Sequence, residues 1–246
     1  YYLAANDHFA VALTIADNGY MGLDSISFLQ FDERWERTKR PMRAFPMGRP
    51  GLPESSASGT TATSGRRDAL GFRHVPQGRE LPFHMANFLN GQTIDGSVTL
   101  TEEPEESVVI CTPFPKPGCF YYNQKINCMR ARGQVQLGDK TYCFDPADSF
   151  GVLDWGRGVW TYHNTWYWGS ASGLADGVPF GWNIGYGFGD TSAASENMLF
   201  YGGKAHKLSQ VCFHIPQWDG RDYFLCPWRF TSYDGRFEMK FDPILD

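Results

Sequence analysis

Val178-Pro179-Phe180-Gly181-Trp182-Asn183-Ile184-Gly185-Tyr186-Gly187-Phe188-Gly189 is the stretch that decides the fold class. Every second residue from Val178 to Phe188 is apolar, and the residues between are proline, glycine or Asn183. A period of two sends successive side chains to opposite faces, so this is a β-strand with one solid apolar face and one nearly bare face. Each strand glycine costs about 0.5–1 kcal/mol against alanine. Something must therefore cover the bare face: aromatic side chains of a neighbouring strand, another backbone, or a ligand.

Upstream, GVLDWGRGVW (151–160) sets Asp154, Trp155 and Arg157 among glycines, where close backbone approach is expected. Tyr162, His163, Asn164, Trp166, Tyr167 and Trp168 continue the aromatic run. In an extended strand Trp160, Tyr162, Trp166 and Trp168 share one face, and His163 and Tyr167 take the other.

Short apolar runs separated by tight turns recur along the rest of the chain. Residues 9–16 and 23–31 flank Asp17-Asn18-Gly19, and 133–137 and 140–144 flank Gly138-Asp139. Residues 198–201 and 204–208 flank Gly202-Gly203, and 223–231 and 236–241 flank Asp234-Gly235. Further strand signals fall at 69–74, 83–89, 97–101 and 107–111. Residues 32–43 are charged and read as an exposed connection. Residues 46–67 collect Pro, Gly, Ser and Thr and read as a mobile loop. Helical periodicity is almost absent, residues 190–197 holding at most one capped turn. The expected fold is all-β, an antiparallel meander, with a boundary at Asp145-Pro146-Ala147-Asp148 that separates domains 1–148 and 149–246.

Composition agrees with this reading. The aromatic share of 16% is high, and aromatics favour strands and fill sheet interiors. A charged share of 20% against 42% apolar rules against overall disorder. A net charge of -5 argues against a nucleic-acid partner, whose phosphates need clustered Lys and Arg. No apolar run approaches the roughly 20 residues of a membrane helix, and no signal pattern is visible, so a cytoplasmic location is expected. The chain opens without Met and stops in what reads as the end of a strand, so segments beyond both ends are expected, and a removed signal stays open. The six cysteines have no C-x-x-C spacing and read as buried reduced thiols, with disulfides the alternative in a secreted protein. His206 and His214 lie on different strands with no third ligand, so no metal site is expected, and no cofactor. There is no G-x-S-x-G elbow, Walker loop or H-E-x-x-H.

The candidate catalytic residues are Asp154, His163 and Asp190. Asp154 has two readings: a pair with Arg157, or a carboxyl walled by Trp whose pKa burial raises until it can donate a proton. His163 also reads as a structural, hydrogen-bonded histidine, and Asp190 as a turn cap, with Glu196 at the other end of that turn. The candidate ligand-binding residues are Trp155, Arg157, Trp160, Trp166, Trp168, Asn183 and Tyr186.

GVLDWGRGVW (151–160), WYWGSASG (166–173), GYGFGDTSAASEN (185–197) and PWRFTSYDGRFEMKFDPILD (227–246) together resemble the bacterial family known as domain of unknown function 2804. More distantly the chain resembles tandem lipocalin-like proteins such as carotenoid 1,2-hydratases and tocopherol cyclases. That resemblance implies two lipocalin-like barrels or half-barrels side by side. It also makes Asp154, just before Trp155-Gly156, the candidate acid. In those families the acid and the Trp are usually separated. Here they are adjacent, and adjacent strand residues face opposite ways.

The expected function is therefore binding of a hydrophobic small molecule, with acid-catalysed hydratase, isomerase or cyclase chemistry. In that scheme Asp154 protonates an alkene, Trp faces stabilise the cation, and His163 or Asp190 serves as base. A non-catalytic lipophilic carrier and a carbohydrate-active protein are the alternatives. A bidentate Asp154–Arg157 pair favours the carrier; an unpaired buried Asp154 favours the enzyme. The oligomeric state is left open.

Overall fold

The computed structural model describes residues 1–216 and 223–245. The early strands are β1 (Tyr2–Ala5), β2 (Phe9–Asp17), β3 (Met21–Gln30), β4 (Trp35–Lys39), β5 (Met42–Ala44), β6 (Thr60–Ser64), β7 (Asp68–Val75), β8 (Gly78–Leu89) and β9 (Gln92–Thr101). Next come β10 (Val108–Pro113), β11 (Phe120–Leu137), β12 (Lys140–Phe144), β13 (Phe150–Val159), β14 (Tyr167–Ala175) and β15 (Val178–Tyr186). The last are β16 (Met198–Tyr201), β17 (Lys204–Lys207), β18 (Val211–His214), β19 (Trp228–Ser232) and β20 (Glu238–Phe241). All registered pairings are antiparallel, as the meander reading expects. No helix among the described residues is long and apolar enough to cross a membrane.

The chain forms two compact units, each drawn from two stretches: residues 1–103 with 129–153, and 104–128 with 154–246. The turn 145–148 lies within the first. β11 and β13 change unit part-way along, β11 after Cys128, whose φ is +63°.

In the first unit the hydrogen-bonded order is β4-β3-β2-β1-β13-β11-β9-β8-β7-β6, with β5 on β3 and β12 on β11. Alternation sets the buried face: Leu81, Phe83 and Met85 of β8 point inward with Phe28, Phe88 and Ile94. The ladder is open and does not close into a barrel. Side chains nonetheless tie β3–β5 to β7 and β8. The Arg43 guanidinium pairs with the buried Asp24 and lies 3.5 Å from Asp68. Arg37 Nε donates to the Phe88 carbonyl at 3.3 Å, and Lys39 Nζ donates to that of Asn87. Burial pushes the Asp24 carboxyl above its usual range.

Two loop readings need correction. Residues 32–43 contain β4 and the start of β5, and residues 46–67 contain β6, with Thr61 and Thr63 buried. Ser56 is also buried, and its carbonyl accepts from Arg79 Nη1 at 2.7 Å. Charged or hydroxyl-bearing strands carry no apolar alternation, so the sequence pattern passes over them.

In the second unit β14-β15-β16-β17 form one sheet and β18-β19-β20 another, and β10 pairs with β11. β14 and β15 pair Trp168↔Gly185, Ser170↔Asn183 and Ser172↔Gly181 on one face, and Gly169↔Ile184 and Ala171↔Trp182 on the other. The second face is apolar: Ile184 packs with Leu208, Val211, Trp228, Phe230 and Phe237, and Tyr167 and Trp182 lie against them. The strand ends at Tyr186, because Gly187 and Gly189 take φ of +91° and +78° and turn the chain away. Residues 160–166 are not extended strand, so the shared-face grouping of Trp160, Tyr162, Trp166 and Trp168 fails; Tyr162 is 91% exposed. Residues 190–197 hold no helical turn. Asp190 Oδ1 instead accepts from the Ser192 amide at 3.0 Å.

Candidate functional site

β11 brings a polar row into the interior of the second unit. Tyr121, Asn123, Lys125 and Asn127 alternate along it, and Asn123, Lys125 and Asn127 are buried. They meet the glycine-bearing face of β14–β15. A Cβ on Gly181 would lie 2.7 Å from Cys128 Sγ, and a Cβ on Gly185 would overlap the Glu196 carboxylate. The bare strip is thus filled by β11 and by one acid.

Lys125 is the centre of this arrangement, its side chain only 3% exposed. Its Nζ lies 2.5 Å from Asp154 Oδ1 and 3.8 Å from Glu196 Oε2. It also stands 4.9 Å from the Trp168 ring centroid and 5.8 Å from that of Tyr121, so both π faces contact the ammonium. The Tyr121 hydroxyl donates to Asp154 Oδ1 at 3.4 Å, and the two acids hold the phenol well above its usual pKa after burial has raised it. Asn183 joins the pieces: its carbonyl accepts from Trp168 Nε1 at 2.8 Å, and its Nδ2 donates to the Glu196 carbonyl at 3.0 Å. Asn197 Oδ1 accepts from the Gly185 amide at 2.9 Å and fixes the same segment from the other side.

Among the described residues the Lys125 ammonium faces two carboxyls, in contact with Asp154 and more distant from Glu196. Burial pushes the Glu196 carboxyl above the ordinary glutamate value; Asp154 adds to the rise, and Lys125 opposes it. Glu196 Oε2 is buried with no hydrogen-bond partner, as are Asn123 Oδ1 and Asn127 Oδ1. Burial and Asp154 thus favour the protonated form of a carboxyl set beside a fixed ion pair, which is the property of a proton donor.

The structure sorts the sequence candidates into groups. Asp154, Trp168 and Asn183 come together at Lys125. Trp160 and Trp166 gather on Phe188 at ring separations of 6.2 and 5.1 Å, and Phe188 and Trp160 also meet Tyr121, at 5.0 and 5.8 Å. These two indoles are 42% and 55% exposed, which makes an aromatic mouth joined to the acid site through Tyr121. Trp155 faces the other way, edge-on to Tyr122 at 5.7 Å, as its adjacency to Asp154 requires. Arg157 is exposed and makes no ion pair with Asp154 among the described residues. Tyr186 stacks with Tyr167 on the apolar face, His163 is exposed against Tyr162, and Asp190 caps its own turn. The residues that sequence reasoning did not select are Lys125, Tyr121 and Glu196. The one legible trace of Glu196 was the absent Cβ at Gly185. No group of three or more His, Cys, Asp or Glu among the described residues is placed to hold a metal ion.

The family model described as domain of unknown function (DUF2804) matches residues 1–246. Two solved structures are similar over 100% of this chain. One is a protein of Nitrosomonas europaea described as a candidate AttH, at TM-score 0.56 and 12% identity over 79% of its own length. The other is kievitone hydratase of Nectria haematococca, at TM-score 0.56 and 10% identity over 75% of its length. At such identities the likeness is one of fold. No curated protein sequence matches the chain.

Proposed function

We propose, for a chain that belongs to the DUF2804 family, a site that binds a small, largely apolar molecule and transfers a proton to it, with hydration of an alkene as the reaction. One observation carries the reading: the buried Glu196 carboxyl, its pKa raised, has one oxygen without a hydrogen-bond partner beside the Lys125–Asp154 pair. Glu196 gives its proton to one alkene carbon, and the neighbouring carbon becomes cationic. A water adds to that carbon and returns a proton to the Glu196 carboxylate, so the net change is addition of water and the acid is restored. Ring faces at the mouth, Trp160 and Trp166, lower the energy of the cation. Lys125 and Asp154 position the acid and set its field. The acid role passes from Asp154, the sequence candidate, to Glu196, because Asp154 is engaged by Lys125. The fold likeness to a hydratase supports the reading only at the level of architecture.

The test begins with native mass spectrometry of protein purified from its own host, to find a co-purifying lipophilic molecule. That molecule is then incubated with the protein in 18O-water. Wild type is expected to incorporate the label, and Glu196→Gln to retain binding while losing incorporation. Equal incorporation by both proteins overturns the acid assignment. Binding without incorporation by wild type leaves a carrier.

A further inference from the structure

The aromatic mouth has an exposure and a charge pattern that proton transfer does not require. β10 ends at Pro113, β11 begins at Phe120, β13 ends at Val159, β14 begins at Tyr167 and β15 ends at Tyr186, so the connections between them meet at one end of the second unit. Phe188 ties them together. It packs edge-on against Phe114 at 5.1 Å and meets Trp166 at the same separation, and the Asp190 amide donates to the Pro113 carbonyl at 2.7 Å. Outward from this knot the large side chains stand in water: Tyr162 is 91% exposed, Val159 57%, Trp166 55% and Trp160 42%. Residues 113–121, 155–175 and 177–189 contain no Asp or Glu, in a chain that has 27 of them. Their fixed charges are Lys116 and Arg157, both exposed and neither in an ion pair among the described residues. The two acids that border these stretches are engaged, Asp154 by Lys125 and Asp190 by the Ser192 amide. The other end of the unit is acidic. Asp176 sits in the β14–β15 turn there, and Glu105 and Glu106 lie 3.1 and 3.6 Å from Lys204 in the β16–β17 hairpin.

We propose that this end of the second unit docks on the surface of an anionic lipid bilayer, with Trp160, Tyr162 and Trp166 entering the headgroup layer and Lys116 and Arg157 facing lipid phosphates. Indole and phenol rings join an apolar body to a polar tip, which suits the boundary between headgroups and acyl chains. The segment 159–166 interleaves them with Thr161, His163, Asn164 and Thr165, whereas the core of a protein interface calls for contiguous apolar surface. Cations without acids at the same end are drawn to an anionic surface, and the acids at the other end are kept away from it. Docking stands without the proton-transfer reading. Taken with it, the mouth opens on the phase in which an apolar substrate dissolves.

The probe is vesicles of phosphatidylcholine and phosphatidylglycerol in equal parts, with pure phosphatidylcholine alongside. The readouts are flotation of the intact chain and quenching of its tryptophan fluorescence by brominated acyl chains. Wild type is expected to float with the anionic vesicles, less so with added salt, and to be quenched. Tyr162→Ser changes a side chain that stands almost wholly in water, so it bears little on folding, and it should weaken binding about tenfold. Lys116→Gln and Arg157→Gln should each weaken binding to the anionic vesicles about fivefold. Trp160→Ser with Trp166→Ser should lose the quenching. Leu174→Ser, at an exposed apolar position toward the acidic end, should bind as wild type does. So should Glu196→Gln, which keeps this test separate from that of the acid. No flotation, flotation that survives Tyr162→Ser undiminished, or quenching that survives loss of both indoles overturns the proposal. So does self-association that Tyr162→Ser abolishes while vesicles bind nothing, which would assign the patch to contact between copies of the chain.

Discussion

Glu196 joins two facts that pull against each other. Its carboxyl is buried against Gly185, and its carbonyl and both chain neighbours are hydrogen-bonded into place. Because burial raises its folded pKa above the model value of 4.5, the folded chain holds this proton more tightly than the unfolded chain. The associated stability is complete below the unfolded value and is lost as pH rises through the raised folded value. Glu196→Gln removes that loss, so its melting temperature should gain on wild type as pH rises from the ordinary glutamate range through the raised folded value. A gap that stays constant across that window would mean the carboxyl is not held protonated. Gly185→Ala pushes a methyl group into the same carboxylate and should cost about 1–3 kcal/mol in urea unfolding. Asn183→Ala leaves the Trp168 indole N–H and the Glu196 carbonyl without their partner and should cost about 2–3 kcal/mol.

β11 carries the site at the scale of an element. Inward positions on a strand usually read as apolar, and here they read Tyr121, Asn123, Lys125, Asn127. The row is tolerable because β14–β15 presents serines, Asn183 and glycines to it, and Asn127 Nδ2 finds Ser170 Oγ and two carbonyls at 2.7–3.2 Å. Lys125→Met breaks the ion pair from one side and should destabilise by about 3–5 kcal/mol. Adding Glu196→Gln should recover part of this, and the double-mutant cycle should show coupling between the two positions. Purely additive effects would mean that the 3.8 Å approach carries no interaction. Sequence reading missed residues 120–132 as a strand for the same reason, since polar residues facing inward erase the alternation a half-exposed strand displays. β6 was missed similarly. Deleting 46–67 removes it together with the Ser56 carbonyl that Arg79 uses, so melting should fall by more than about 5 °C.

At the scale of the whole molecule, the first unit manages an open ladder. Its early strands are tied to β7 and β8 by Arg43, Arg37 and Lys39, and not by a backbone ladder. Arg43→Met strands the buried Asp24 and should cost about 3–5 kcal/mol at neutral pH. Since burial raises the Asp24 pKa, the penalty should shrink on acidification as that carboxyl takes up its proton. Hydrogen exchange should quicken in β3 and β5–β7 and stay unchanged in β14–β15. Quickening spread evenly through both units would argue against a local tie.

The residues by themselves determined an antiparallel β chain, its glycine turns, the apolar face of 178–186 and the bare face behind it, because strand periodicity and turn chemistry are local properties. Asp154, Trp168 and Asn183 were also legible as neighbours of that face. Only the tertiary structure decided that the bare face is covered by Lys125 and Glu196. An acid on a loop and an amine on a strand some seventy residues earlier leave no shared pattern in the chain. Their meeting depends on a register and a hydrogen-bonded loop path, and on the desolvation that follows, none of which a linear sequence displays.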